Sequence, residues 1–259
     1  MGYFSVENLS ISFGGLKAVD GISFSVEKNE IFSIIGPNGS GKTTIFNLIS
    51  GIYKPDSGAV MMEGENMVGK TPDHVALKGI ARTFQNIELF KNATVMDNLM
   101  LGRHMHMNTG LFGGAFMFGK RSKAAKEEVK HREEVEKIID FLELQSVRDS
   151  FVGSLAYGKR KLVEVGRALA LEPKVMLLDE PSAGMNTEEK DDLNIWIKDI
   201  REDYNMTILL IEHDMNMIMG ISDRVFAMQQ GQKITLGTPQ EVQKHPEVIK
   251  AYLGEEEIG

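Results

Sequence analysis

The chain has 259 residues, 42% of them hydrophobic, with 29 basic and 37 acidic side chains and a formal net charge of -8. That length holds one large domain or a core with a subdomain, and the acidic balance argues against a general nucleic-acid binder. The lack of cysteine excludes disulfides and thiolate metal sites, no apolar run nears the roughly 18 residues of a membrane span, and the first residues lack the basic region and apolar core of a signal peptide.

In chain order, residues 3–13 alternate loosely and predict a strand, as does Ile22 to Val26. Phe13 precedes Gly14-Gly15, where an aromatic ring fits two readings: stacking on a base, or packing at a strand end. Ile31-Phe32-Ser33-Ile34-Ile35 is a short apolar run suited to a buried parallel strand. It leads into Gly36-Pro37-Asn38-Gly39-Ser40-Gly41-Lys42-Thr43-Thr44, and then into helical apolar spacing that stops at Gly51. Strand, glycine-rich turn and helix is the context of a phosphate-binding loop. The glycines let the backbone curl so that N–H groups converge on phosphate oxygens, and the helix N-terminus adds partial positive charge. Lys42 would reach the terminal phosphates, and the Thr43 hydroxyl would sit on Mg²⁺.

Pro55-Asp56-Ser57-Gly58 predicts a turn and Ala59 to Glu63 a strand. Thr71-Pro72 predicts a short helix with Thr71 as its cap, Ile80 to Phe84 a strand ending at Gln85, and Thr94 to Asp97 a capping box opening a helix to about Leu101. His104-Met105-His106-Met107 has no acid nearby and spaces its histidines two apart, so no metal site is expected there. The aromatic stretch 111–119 reads either as a loop folded on its own domain or as a partner contact. Lys120 to Leu144 predicts a long surface helix with one apolar stripe at Val135, Ile138, Ile139 and Leu142.

Leu155-Ala156-Tyr157-Gly158-Lys159 precedes a periodic helix to Leu171, which Pro173 ends. Val175 to Glu180 predicts a buried strand that delivers Asp179 and Glu180 at its C-terminal end, where ligands bind in open α/β sheets. Thr187 is the expected cap of a helix to about Asp203. Thr207 to Ile211 predicts another buried strand, ending in Glu212-His213-Asp214. Short strands near 224–229 and 233–236 precede C-terminal helices opened by Thr238-Pro239.

These motifs, in this order, resemble the ATP-binding cassette (ABC) ATPases over essentially the whole chain. ARTFQNIELF at 81–90, LAYGKRK at 155–161, IEHDMNMIMGISDR at 211–224 and VIKAYLGE at 248–255 resemble the LivG-type cassettes of branched-chain amino acid importers. The resemblance implies an α/β P-loop NTPase fold: a RecA-like core with an N-terminal antiparallel β portion, at about 1–85 and 166–259, and a helical subdomain at about 86–165. It implies that Lys42 and the backbone of Asn38, Gly39, Ser40, Gly41, Thr43 and Thr44 hold the phosphates of ATP, and that Thr43, Gln85 and, through water, Asp179 hold Mg²⁺. It makes Glu180 the general base and His213 a γ-phosphate contact, and it tips Phe13 toward adenine stacking. Residues Leu155, Ala156, Tyr157, Gly158 and Lys159 would meet the ATP of an opposing subunit. Many relatives have LSGGQ there. Ala156 lacks the hydroxyl and Lys159 replaces an amide with a charge, although LAYG is itself typical of the LivG-like group. The implied partners are a second, non-identical cassette in a head-to-tail dimer, integral membrane permease subunits and, indirectly, a solute-binding protein, with no nucleic acid. The implied location is the cytoplasmic face of the inner membrane. Rival readings are a cassette of a lipid or lipopolysaccharide exporter, or a soluble non-transport ABC ATPase.

Overall fold

The computed structural model describes residues 3–83, 88–107 and 123–256, and it divides into two compact units. The first comprises residues 1–85 and 174–259, the second 86–173. The second therefore takes in the whole helix after the LAYGK segment, which the sequence expectation divided near 165.

The first unit is built on two sheets. In one, β1 (Phe4–Phe13), β2 (Leu16–Val26), β4 (Ser57–Met62) and β5 (Glu65–Asn66) pair antiparallel in the order β2-β1-β4-β5. β2 starts at Leu16, six residues before the apolar run that predicted it, because Leu16 and Lys17 pair with the end of β1 across the Gly14-Gly15 turn. In the other sheet the order is β10-β9-β3-β8-β7-β6. β3 (Ile31–Ile35), β6 (Ile80–Arg82), β7 (Val175–Asp179), β8 (Thr207–Ile211) and β9 (Arg224–Gln229) run parallel, and β10 (Gln232–Gly237) closes the edge antiparallel to β9. β3, β7 and β8 are buried along their whole length, as strands covered on both faces must be. Phe24 stacks on Phe32 with centroids 5.0 Å apart, and Phe226 packs on both, joining the two sheets in one core.

Helices α1 (Lys42–Ile49), α2 (Pro72–Leu77), α6 (Thr187–Asp203), α7 (Met215–Ile221), α8 (Pro239–Gln243) and α9 (Pro246–Glu256) complete the first unit. Two caps differ from expectation. Asn186, not Thr187, caps α6: its side chain accepts from Glu189 N–H while Glu189 reaches back to Asn186 N–H. Thr71 stands at the head of α2, but its hydroxyl bonds His74 Nδ1 at 3.2 Å instead of a backbone N–H. Thr238 and Glu241 form the capping box of α8.

The second unit packs α3 (Val95–Arg103), α4 (Lys123–Phe141) and α5 (Tyr157–Leu169) around Val95, Leu99, Val135, Ile139, Val163 and Leu169. Thr94 and Asp97 form the expected capping box. α3 meets α5 at Gly102, where a Cβ would lie 2.4 Å from Arg167 O, so only glycine permits that approach. The segment 111–119 and Gln85 lie outside the described residues.

Candidate active site

The turn after β3 follows from its sequence. Gly36 adopts φ +155° and Gly41 φ +105°; a Cβ would sit 2.1 Å from Met228 O at the first and 2.4 Å from Ala18 O at the second. No other residue fits either place, so the chain curls tightly and enters α1 with its first-turn N–H groups facing outward. Lys42, buried, turns back across the curl and donates from Nζ to Gly36 O at 2.7 Å and Pro37 O at 2.9 Å. Its ammonium is thereby held in the ring of loop amides.

A cavity of about 660 Å³ opens on this loop. Asn38, Gly39, Gly41, Lys42, Thr43 and Thr44 line one side, and Glu180 also borders it. Leu16, Lys17, Ala18 and Asp20 of β2 face it, with Gln230, Gly231 and Gln232 of the β9–β10 turn. Sequence reasoning missed these two contributions; the glycine in the turn was visible, but not its adjacency, which Gly231 N–H makes by donating to Ser40 O at 2.9 Å. Phe13 stands at the end of β1, 44% exposed, its ring edge-on to Tyr53 at 5.3 Å, and is not part of the cavity lining. Ser40 Oγ is buried without a hydrogen-bond partner among the described residues.

Asp179 and Glu180 end β7 as expected, but in different settings. Asp179 is fully buried; its Oδ2 accepts from Arg82 Nη2 at 2.8 Å, while Oδ1 has no hydrogen-bond partner among the described residues. Burial pushes its carboxyl above the ordinary value, with the Arg82 hydrogen bond pulling the other way. Arg82 Nη1 also donates to Asn47 Oδ1 at 2.6 Å, and the guanidinium lies over the Phe46 ring. The sequence displayed Arg82 only as a charge in a short apolar strand.

Glu180 has φ +48°, an unusual conformation for a residue with a Cβ, of the sort concentrated at functional sites. The turn aims its carboxylate at the β8 turn, where Oε1 lies 3.0 Å from His213 Nε2. A carboxylate only accepts, so Nε2 carries the proton in this pair. Both side chains are partly open to solvent, and Glu180 borders the phosphate-loop cavity.

The ABC transporter family model matches residues 19–183, from β2 to just beyond the Asp179-Glu180 pair. The chain belongs to the ABC transporter family. A second model, the branched-chain amino acid ATP-binding cassette transporter, matches residues 232–258. The cassette is 41% identical to the high-affinity branched-chain amino acid transport ATP-binding protein BraF of Pseudomonas aeruginosa, over 96% of this chain and 97% of that protein. It is 40% identical to the corresponding protein LivG of Escherichia coli, over 97% of each. Among solved structures, an ATP-binding cassette of an ABC transporter in its ADP conformation superposes with a TM-score of 0.85 at 35% identity, covering 98% of this chain and 99% of that one. A nucleotide-free cassette gives 0.84 at 34% identity, covering 97% and 99%. The P-loop NTPase fold with antiparallel sheet and helical insertion is the fold of these neighbours, and ATP is the ligand of the cassette family.

In the second unit, Ala156 stands at the head of α5 and supplies no side-chain cap. Gly158 is buried, whereas Ala156 and Lys159 are exposed. No side chain caps the first N–H groups of this 13-residue helix. Leu89 is buried at 9% exposure and Phe90 is exposed at 62%, so of this hydrophobic pair only Phe90 is a surface residue.

Proposed function

We propose that this cassette hydrolyses ATP to ADP and phosphate and thereby powers the import of branched-chain or other hydrophobic amino acids. The observation that carries the enzymatic part is Glu180, which borders the phosphate-loop cavity and lies 3.0 Å from His213. Phosphoryl transfer to water needs charge neutralisation, an in-line water and little covalent chemistry. Lys42 and the amides of residues 38–44 take the phosphates. Glu180 orients the attacking water and accepts its proton, and His213 senses or positions the γ-phosphate. Phe13 stacks on the adenine.

The oxygens present suit Mg²⁺: Thr43 lines the cavity, and Asp179 Oδ1 has no hydrogen-bond partner among the described residues. Thr43, Gln85 and, through water, Asp179 would hold the ion, which would supply charge neutralisation for the phosphates. The signature segment 155–159 takes the γ-phosphate of an opposing cassette through the backbone N–H groups of α5, with Gly158 allowing the approach and Lys159 adding positive charge. ATP binding closes the two cassettes head to tail, and hydrolysis reopens them.

Among the described residues no helix is long and apolar enough to cross a membrane, so the transport path belongs to permease partners, with this subunit peripheral on the cytoplasmic face. The relatives' names and the match at 232–258 support amino-acid import over export of lipid or lipopolysaccharide. The test is reconstitution with the co-purifying membrane subunits and their solute-binding protein. Leucine-stimulated ATPase activity with leucine uptake supports the reading. ATPase activity stimulated by lipid, or indifferent to membrane partners, overturns the transport part.

A further inference from the structure

β7 and β8 are adjacent parallel strands with Asp179 opposite Ile211, so their C-terminal turns emerge side by side. Each turn carries one member of the Glu180–His213 pair. Tight turns at a buried sheet end leave backbone N–H groups that need acceptors. Glu212 supplies two. Its Oε1 accepts from Ser182 N–H at 2.8 Å, and its Oε2 accepts from His213 N–H at 3.0 Å. The side chain is 3% exposed. A third bond, Glu180 N–H to Ile211 O at 2.9 Å, closes the span between the two turns.

We infer that Glu212 is a positioning residue, a carboxylate clamp across the two turns that holds Glu180 and His213 in register with each other. Two converging N–H donors need a group that accepts with both atoms, which a carboxylate does and a carboxamide does not. Burying that charge is costly unless it is bonded. Here it has two N–H partners. His213 therefore has its backbone N–H fixed by Glu212 while its ring reaches Glu180. Displacement of a reacting group by about 1 Å is worth on the order of 10²-fold in rate.

The inference about geometry stands on these bonds, whereas its kinetic consequence rests on the ATPase reading above. The test compares the wild-type chain with Glu212→Gln. The carboxamide keeps one acceptor and sets an NH₂ against the other N–H. In the assembled transporter, kcat for ATP hydrolysis should fall on the order of 10²-fold, while ATP affinity of the full-length chain stays within about two-fold, because no phosphate-loop residue is touched. The His213 ring ¹⁵N resonances should move in the variant, a change that loss of folded protein alone would not produce. In the wild-type chain the Ser182 and His213 amides should be protected from hydrogen exchange, a measurement that holds even if the variant does not fold. Unprotected amides, or a folded variant with wild-type kcat and unmoved His213 resonances, would overturn the clamp. A wild-type transporter that binds no ATP would instead overturn the ATPase reading and leave the amide protection to decide the clamp.

Discussion

Asp179 reaches the end of β7 with both oxygens out of water, and Arg82 on the next strand answers one of them. The side chains are 6% and 1% exposed, so this is a buried ion pair, and its guanidinium is also bonded to Asn47 of α1 and to Ser50 just after it. Removing one member of such a pair leaves an uncompensated charge and costs about 3–5 kcal/mol. Arg82→Met should therefore lower the unfolding free energy by about that amount, read from urea titrations. Arg82→Lys should cost less, since an ammonium still meets Asp179 but has no planar fork to span Asn47 as well. A change below about 1 kcal/mol in Arg82→Met would remove the ion pair from its structural role. The sequence made the phosphate loop legible because its chemistry is local: Gly36, Gly41 and Lys42 act within nine residues. Arg82 and Glu212 act across strands, and nothing in their own neighbourhoods names Asp179 or Ser182 as the partner.

Within the second unit, α3 and α4 are tied by buried polar groups as well as by apolar packing. Arg103 donates from Nε to His131 Nδ1 at 3.2 Å and from Nη1 to Ala170 O at 3.0 Å. Burial and then the Arg103 charge hold the His131 pKa below its ordinary value, and His106 and Lys130 add to the effect while Glu127 opposes it. The folded value is the lower one, so neutral His131 contributes stability that is complete above about pH 6.5 and is lost as pH falls through the folded value. The thermal midpoint should drop on acidification from pH 7.5 to 5.5. His131→Gln, whose carbonyl can still accept from Arg103, should flatten that dependence; an unchanged slope would exclude His131 as its source. The same unit presents Phe90 on a fixed backbone. Asn98, fully buried, accepts from Phe90 N–H at 2.9 Å and donates to Phe90 O at 3.1 Å and Thr94 O at 2.9 Å. Phe90→Asp should leave the free subunit folded and able to bind ATP but abolish pull-down of the permease subunits. Leu89→Asp buries a charge in the unit's interior and should unfold it instead. Normal assembly of Phe90→Asp would place the permease contact elsewhere. The capping box at Thr94 was legible because its spacing is the signal. The cap of α6 was misplaced by one residue, because Asn186 and Thr187 are both good caps and only the backbone turn chooses between them.

At the scale of the molecule, the parallel sheet does one thing for chemistry: it brings the ends of β3, β7 and β8 together. β3 contributes the phosphate loop, β7 contributes Asp179 and Glu180, and β8 contributes Glu212 and His213. The phosphate loop is far in sequence from the two later strands, so composition and periodicity expose each piece but not the strand order that joins them. The family resemblance supplied that order, and matches over 96–97% of the chain carry it. In the proposed reaction Glu180 activates water beside phosphates held by other residues. Glu180→Gln changes one atom of that arrangement and leaves Lys42 and the loop amides in place. ATP affinity and ATPase turnover of the Glu180→Gln variant, measured side by side in the assembled transporter, separate binding from chemistry most directly. Wild-type affinity with turnover lowered by about 10²–10⁴-fold is the predicted result. Turnover close to wild type would contradict it and remove Glu180 as the base.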